Sequence, residues 1–122
     1  MHNIKEFVYK QLKDNTDLHN YIWDRIYPSQ APLWVVKPLI VYNRVWWNID
    51  IKWIRNEVIQ ISIWGDKITE LEDIMHIIIP LFNNLKTPPI KNAYIKQITE
   101  TFDKDTKSYG IHIDIHIKLI EQ

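Results

Sequence analysis

Three side chains late in the chain have types and spacing that could do chemistry: His112, Asp114 and His116. On a strand, residues two apart share a face and lie about 7 Å from each other. Two imidazoles and a carboxylate so placed could just converge on a divalent metal. Plain alternation competes with that reading. Ile111, Ile113, Ile115, Ile117 and Leu119 interleave with His112, Asp114, His116 and Lys118, which is the pattern of a strand with one buried and one wetted face. Zinc sites normally draw ligands from more than one element, and the absence of cysteine excludes thiolate ligands and disulfides. The expectation is no metal and no cofactor, with this face serving as an interface or lining a cavity. A small metal-binding or enzymatic domain built on His112, Asp114 and His116 is the alternative.

Other chemistry is sparse. Two glycines cannot build a phosphate-cradling loop, and no Ser-His-Asp set or paired carboxylates stand at a local spacing. Glu70, Glu72 and Asp73 read as partners of a helix N-terminus, and His76 reads as a surface residue. No enzyme is expected. The tryptophans say more. Trp46, Trp47 and Trp53 flank a turn, and Trp34 ends a loop fenced by Pro28, Pro32 and Pro38. Either they fold back onto the open face of a sheet or they form a contact surface, and the aromatic enrichment of interface cores favours contact.

The elements that position these residues follow from periodicity. Ile4, Phe7, Val8 and Leu12 share a helical face that Asn3 can cap, and Asp17 can cap one more turn bearing Leu18, Tyr21 and Ile22. Arg25-Ile26-Tyr27 is a short extended piece. Leu39–Val45 is rich in β-branched and aromatic residues and predicts a strand, reversed at Trp47–Asp50. Val58–Trp64 predicts its partner, ending at Gly65, with Asp66 able to cap the helix behind it. In that helix Leu71, Met75, Ile78, Phe82 and Leu85 form one stripe, with Ile68, Ile74 and Ile79 at its margins. Ile77 and Leu81 lie off the stripe and are candidates for contact with a partner. Pro80 predicts a kink or a restart. Lys91–Phe102 predicts a strand with Ala93, Ile98 and either Tyr94 or Ile95 inward, joined by the charged loop 103–108 to the alternating strand 111–119.

The resulting order is α-β-β-α-β-β: an α+β fold, mostly antiparallel, with two main helices on one face of the sheet. At 122 residues, 46% of them hydrophobic, the chain is expected to form one domain spanning 1–122. Fifteen cations balance fifteen anions, and this neutrality argues against a general nucleic-acid binder. No apolar run is long enough to cross a membrane, and Lys5, Glu6 and Lys10 interrupt any leader pattern, so a soluble protein made in the cytoplasm is expected.

Taken together, the helix Ile4–Lys13, Arg25-Ile26-Tyr27-Pro28, Pro38-Leu39-Ile40-Val41-Tyr42, the segment Arg55–Lys67 with its following helix, and the closing strand Ile111–Leu119 resemble the tail-completion, or tail-terminator, proteins of long-tailed bacteriophages. The resemblance spans nearly the whole chain and rests on apolar patterns, not catalytic signatures. It implies a virion protein that forms a ring, usually of six subunits, on the head-proximal end of the tail tube. Such a ring ends tube polymerisation and joins tail to head. Its implied partners are further copies of itself, the tail-tube protein, the head connector, and DNA that passes through the lumen without sequence-specific binding. Another neck component or a tail-tube protein is the nearest alternative.

Overall fold

The computed structural model describes residues 4–32, 34–51 and 54–120, apart from the side chains of residues 50 and 51. Two helices, α1 (Ile4–Lys13) and α2 (Thr16–Ile22), lead into the short strand β1 (Ile26–Pro28). The hairpin β2 (Leu39–Ile51) and β3 (Ile54–Gly65) follows, then α3 (Ile68–Phe82), then the hairpin β4 (Ile90–Asp103) and β5 (Ser108–Ile120). The sheet order is β1-β2-β3-β5-β4, with β1 parallel to β2 and every other pair antiparallel. The fold is α+β, as periodicity predicts, with α2 and β1 added to the main order.

β3 sits at the centre because both its edges find long partners. Its Ile59, Ile61 and Ile63 are fully buried, as are Ile111, Ile113, Ile115 and Ile117 of β5. They share one core with Leu71, Ile74, Ile78 and Phe82 of α3, and with Ile4, Val8, Leu12, Leu18 and Ile22 of the first two helices. All three helices therefore cover one face of the sheet.

Several local expectations are corrected. Asn15, not Asp17, caps α2, accepting from the Leu18 amide at 2.8 Å. Lys67 occupies the N-cap of α3 and makes no side-chain cap bond, so Asp66 does not cap it. Gly65 ends β3 for want of room: a Cβ there would stand 2.8 Å from Leu71 Cδ2, so the glycine lets α3 close on the sheet. α3 runs through Pro80 to Phe82 without a restart, because a proline two residues from the end loses little of the helical ladder. Met75 and Leu85, on the predicted stripe, and Ile77 and Leu81, off it, are alike half-buried and packed against the core. In β4, Ala93 is buried and Ile95 half-buried, but Tyr94 and Ile98 are exposed. β2 does not turn at Trp47–Asp50: it continues to Ile51, which pairs with Ile54. Asn3 and Trp53 lie outside the described residues.

β2, β4 and β5 each run for 13 or 14 residues, about 43 Å at the usual rise. The 15 residues of α3 span about 22 Å. α3 is thus about half as long as these strands.

Candidate functional site

The face of the sheet away from the helices carries the residues first singled out. Strand pairing aligns them in rows. Ser62 of β3 lies opposite His112 of β5, Gln60 opposite Asp114, Val58 opposite His116, and Asn56 opposite Lys118. On the far side of β5, Thr99 pairs with His112, Tyr94 with His116 and Asn92 with Lys118.

The rows are tied by side-chain hydrogen bonds. His112 Nδ1 bonds Ser62 Oγ at 2.8 Å, and its Nε2 bonds Thr101 Oγ1 at 2.8 Å. Gln60 Nε2 donates to Asp114 Oδ1 at 3.0 Å. His116 Nδ1 lies 3.0 Å from Tyr94 Oη and its Nε2 lies 3.1 Å from Asn56 Oδ1, while Asn56 Nδ2 donates onward to Asn48 Oδ1 at 3.2 Å. Each imidazole is also seated on aromatic surface. Trp64 stands edge-on to His112 at 5.2 Å, Tyr94 stacks on His116 at 5.0 Å, and Trp46 approaches His116 edgewise at 6.4 Å. Gly110 makes room for this, since a Cβ there would lie 2.8 Å from both the Trp64 ring and Thr101 Oγ1.

His112, Asp114 and His116 thus lie on one strand and one face, but each turns to its own partner on a neighbouring strand. Among the described residues no group of three or more His, Asp or Glu side chains is placed to hold a metal ion. What the face can do is bind: it offers fixed donors, acceptors and ring surfaces.

Burial holds the His112 imidazole below its ordinary pKa, against a smaller opposing pull from Asp114. A histidine whose folded value is lowered contributes stability that is complete above the unfolded value, about 6.5, and is lost as pH falls through the folded one. Thermal melts between pH 7 and pH 5 should therefore show a steeper loss of stability in the wild type than in His112→Asn. Equal slopes would mean that His112 is as free to charge in the fold as in the unfolded chain.

The tryptophans divide between surfaces. Trp34 lies on the loop between β1 and β2 and is 84% exposed. A register shift between Arg44 and Trp46 sends Trp46 to the open face and Trp47 to the helix side. Both are about half exposed. Arg44 stacks over Trp47 at 5.4 Å. The structure does not bring these three into one patch.

Periodicity gives no sign of three further features. Glu57, on the helix side of β3, is fully buried between Arg44 at 3.3 Å and Arg55 at 2.9 Å. Ile98, Phe102 and Tyr109 are exposed near the free end of the β4–β5 hairpin, the two rings 4.9 Å apart. Lys86, Lys91, Asn92, Tyr94, His116 and Lys118 line a cavity of about 370 Å³ at the other end of that hairpin. Lysines contributed by the α3–β4 linker, β4 and β5 meet there only because the strands pair.

The fold is shared with a chain of a gene transfer agent virion. That structure, "Virion of native gene transfer agent (GTA) particle", superposes with a TM-score of 0.73 at 10% sequence identity, covering 93% of this chain and 91% of that one. No family model matches the sequence, and no curated protein does. At such identity the likeness is one of architecture, and it extends over nearly the full length of both chains.

Proposed function

We propose that the protein is a structural component of a phage-like particle: a ring-forming tail terminator that caps the head-proximal end of the tail tube and joins it to the head connector. One observation carries this reading beyond the shared fold. The sheet leaves two unlike edges open at diagonally opposite corners. β1 covers β2 only as far as Tyr42, and among the described residues no strand lies along the outer edge of β2 from Asn43 to Ile51. On the other side, Leu85 bridges to Ala93 and Asn83 accepts from the Ile95 amide, but beyond them no strand among the described residues lies along the outer edge of β4 as far as Asp103. Each open edge carries exposed apolar groups: Val45, Trp47 and Ile49 at one corner, Ile98 and Phe102 at the other.

Unpaired strands with apolar side chains are a hazard unless a partner covers them. Two unlike edges on one subunit suit a head-to-tail contact, which closes into a ring when the rotation permits. Strand addition at such a joint supplies main-chain hydrogen bonds, with the aromatic groups giving register. Trp34 and Trp46 remain as candidate contacts to the tube or connector. Ile77 and Leu81 are poorer ones, since part of each already packs on the core.

The test is Trp47→Glu with Phe102→Glu, scored in assembled particles by tail length and head attachment. Both residues are about half exposed, but Trp47 stands directly opposite Glu57, so Trp47→Gln with Phe102→Gln, which adds no charge beside Glu57, is scored alongside and should also impair assembly, with the fold of each free chain checked by its melting temperature. A charge buried without a partner at each joint costs several kcal/mol, enough to abolish assembly. Tails of normal length joined to heads in that variant would sink the edge-to-edge ring.

A further inference from the structure

We propose that the joint between neighbouring copies continues the sheet itself: β4 of a second copy lies antiparallel to β2 of the first, with both helix layers on the same side. This rests on the ring reading above, and it fixes which faces and which residues meet. Strand direction sets the orientation. β2 runs against β3, β3 against β5 and β5 against β4, so β4 is antiparallel to β2 within one copy. A second copy set alongside without turning over therefore offers its β4 to the outer edge of β2 as an antiparallel partner. That is the more stable of the two kinds of ladder.

Side-chain faces support the same placement, because neighbours in register share a face. Trp47 lies opposite Glu57 and Ile49 opposite Arg55, while Ile98, Glu100 and Phe102 lie opposite Ile113, Ile111 and Tyr109. All five edge residues are thus on the helix side of the sheet, and all five are exposed. Had one set faced the helices and the other the open face, a continued sheet would leave both in water. Laid edge to edge over their full length, the free stretches 43–51 and 96–103 bring Ile49 against Ile98 and Trp47 against Glu100. Charge complementarity then names the partner as a second copy's β4. Arg44 lies over the Trp47 ring at 5.4 Å and holds Glu57 at 3.3 Å. Its side chain is 39% exposed, and a guanidinium has donors enough for a second carboxylate. Glu100 of the next copy arrives there. A two-fold joint would cover one open edge and leave the other bare. Of the two-fold joints, β4 on β4 also sets Glu100 beside Glu100, and like charges across a strand pair are destabilising.

The chain has no cysteine, so introduced thiols report the joint without background. Two single-cysteine variants of the whole chain are mixed at high concentration and oxidised, which traps even a weak joint. A disulfide needs Cα atoms within about 7 Å, whereas Ile98 and Phe102 lie about 13 Å apart along their strand. Ile49→Cys mixed with Ile98→Cys should form mixed disulfides severalfold above the level set by Trp34→Cys with Ile98→Cys, a pair the joint does not bring together. Ile49→Cys with Phe102→Cys should stay at that level. Adding Glu100→Lys to the Ile98→Cys chain should lower the trapped fraction severalfold. Homodimers of either variant equal to the mixed product would mean a two-fold joint. Preference for the Phe102 pair would mean a parallel one, and yields at the Trp34 level would mean no edge joint. Each of these overturns the proposal, as does indifference to Glu100→Lys. Trapping as expected, with normal tails in particles carrying Trp47→Glu/Phe102→Glu, keeps this joint and removes the tail-cap reading. Failed trapping with disrupted tails leaves a ring whose copies meet in another orientation.

Discussion

Glu57→Ala is expected to cost about 3–5 kcal/mol, because it breaks a buried ion pair by removing one member. Glu57 is fully buried on the helix side of β3, and the Arg55 side chain beside it is only 6% exposed. With the carboxylate gone, the buried guanidinium of Arg55 loses the counter-charge that stands 2.9 Å from it. Arg44 is different. Its side chain is 39% exposed, so it can return to solvent, and Arg44→Met should cost less than about 1 kcal/mol. Denaturant midpoints of the two variants measure this contrast directly. Replacing the buried pair together, Glu57→Leu with Arg55→Met, should recover most of the loss, since an apolar pair of similar volume is often as stable as a buried ion pair. If Glu57→Ala falls no further than Arg44→Met, the carboxylate is not holding Arg55. The cluster also bears on assembly, because Arg44 carries Trp47 on its guanidinium. Loosening it disturbs one of the two corners assigned to the ring.

How much of this was open to a reader of the sequence differs by element, and the differences have physical causes. β5 and α3 are plain because each has one face in the core and one outside, so period alone separates their residues. The end of β2 is not plain. Its reversal carries no Asn-Gly or similar signal, and Trp47, Asn48 and Ile49 continue as strand because Glu57, Asn56 and Arg55 lie opposite them. The shift after Arg44, which exchanges the faces that Trp46 and Trp47 would otherwise take, leaves no local mark in the sequence. Arg55-Asn56-Glu57 reads as polar and therefore outward, yet all three residues are buried. Charge pairing between strands is what permits this, and pairing is invisible to periodicity. The same limit hides the lysine cavity. Lys118 stands opposite Asn92 only through the β4–β5 register, so three lysines distant in sequence line one cavity only in the fold. His112 and His116 were legible as a polar face, but their partners on β3 and β4 were not.

The helix layer itself can be tested where two residues on paired strands should behave unlike each other. Ile113 and Ile98 lie directly opposite across β5 and β4, and neighbours in register share a face. Their surroundings differ. Ile113 has no exposed surface and belongs to the core that includes Leu71, Ile78 and Phe82, whereas Ile98 is 42% exposed. Ile113→Ala removes buried carbon from a packed interior and leaves a cavity, and should cost about 2–4 kcal/mol. Ile113→Val, which removes one methylene, should cost about 0.5–1.5 kcal/mol. Ile98→Ala should stay below about 1 kcal/mol, since much of that side chain is already in water and its neighbourhood can collapse. Chemical denaturation of the three variants checks the order. Ile98→Ala matching Ile113→Ala would place the edge of the helix layer beyond β5 and over β4. That would take Ile98 out of the exposed corner and leave Phe102 alone to meet the next subunit.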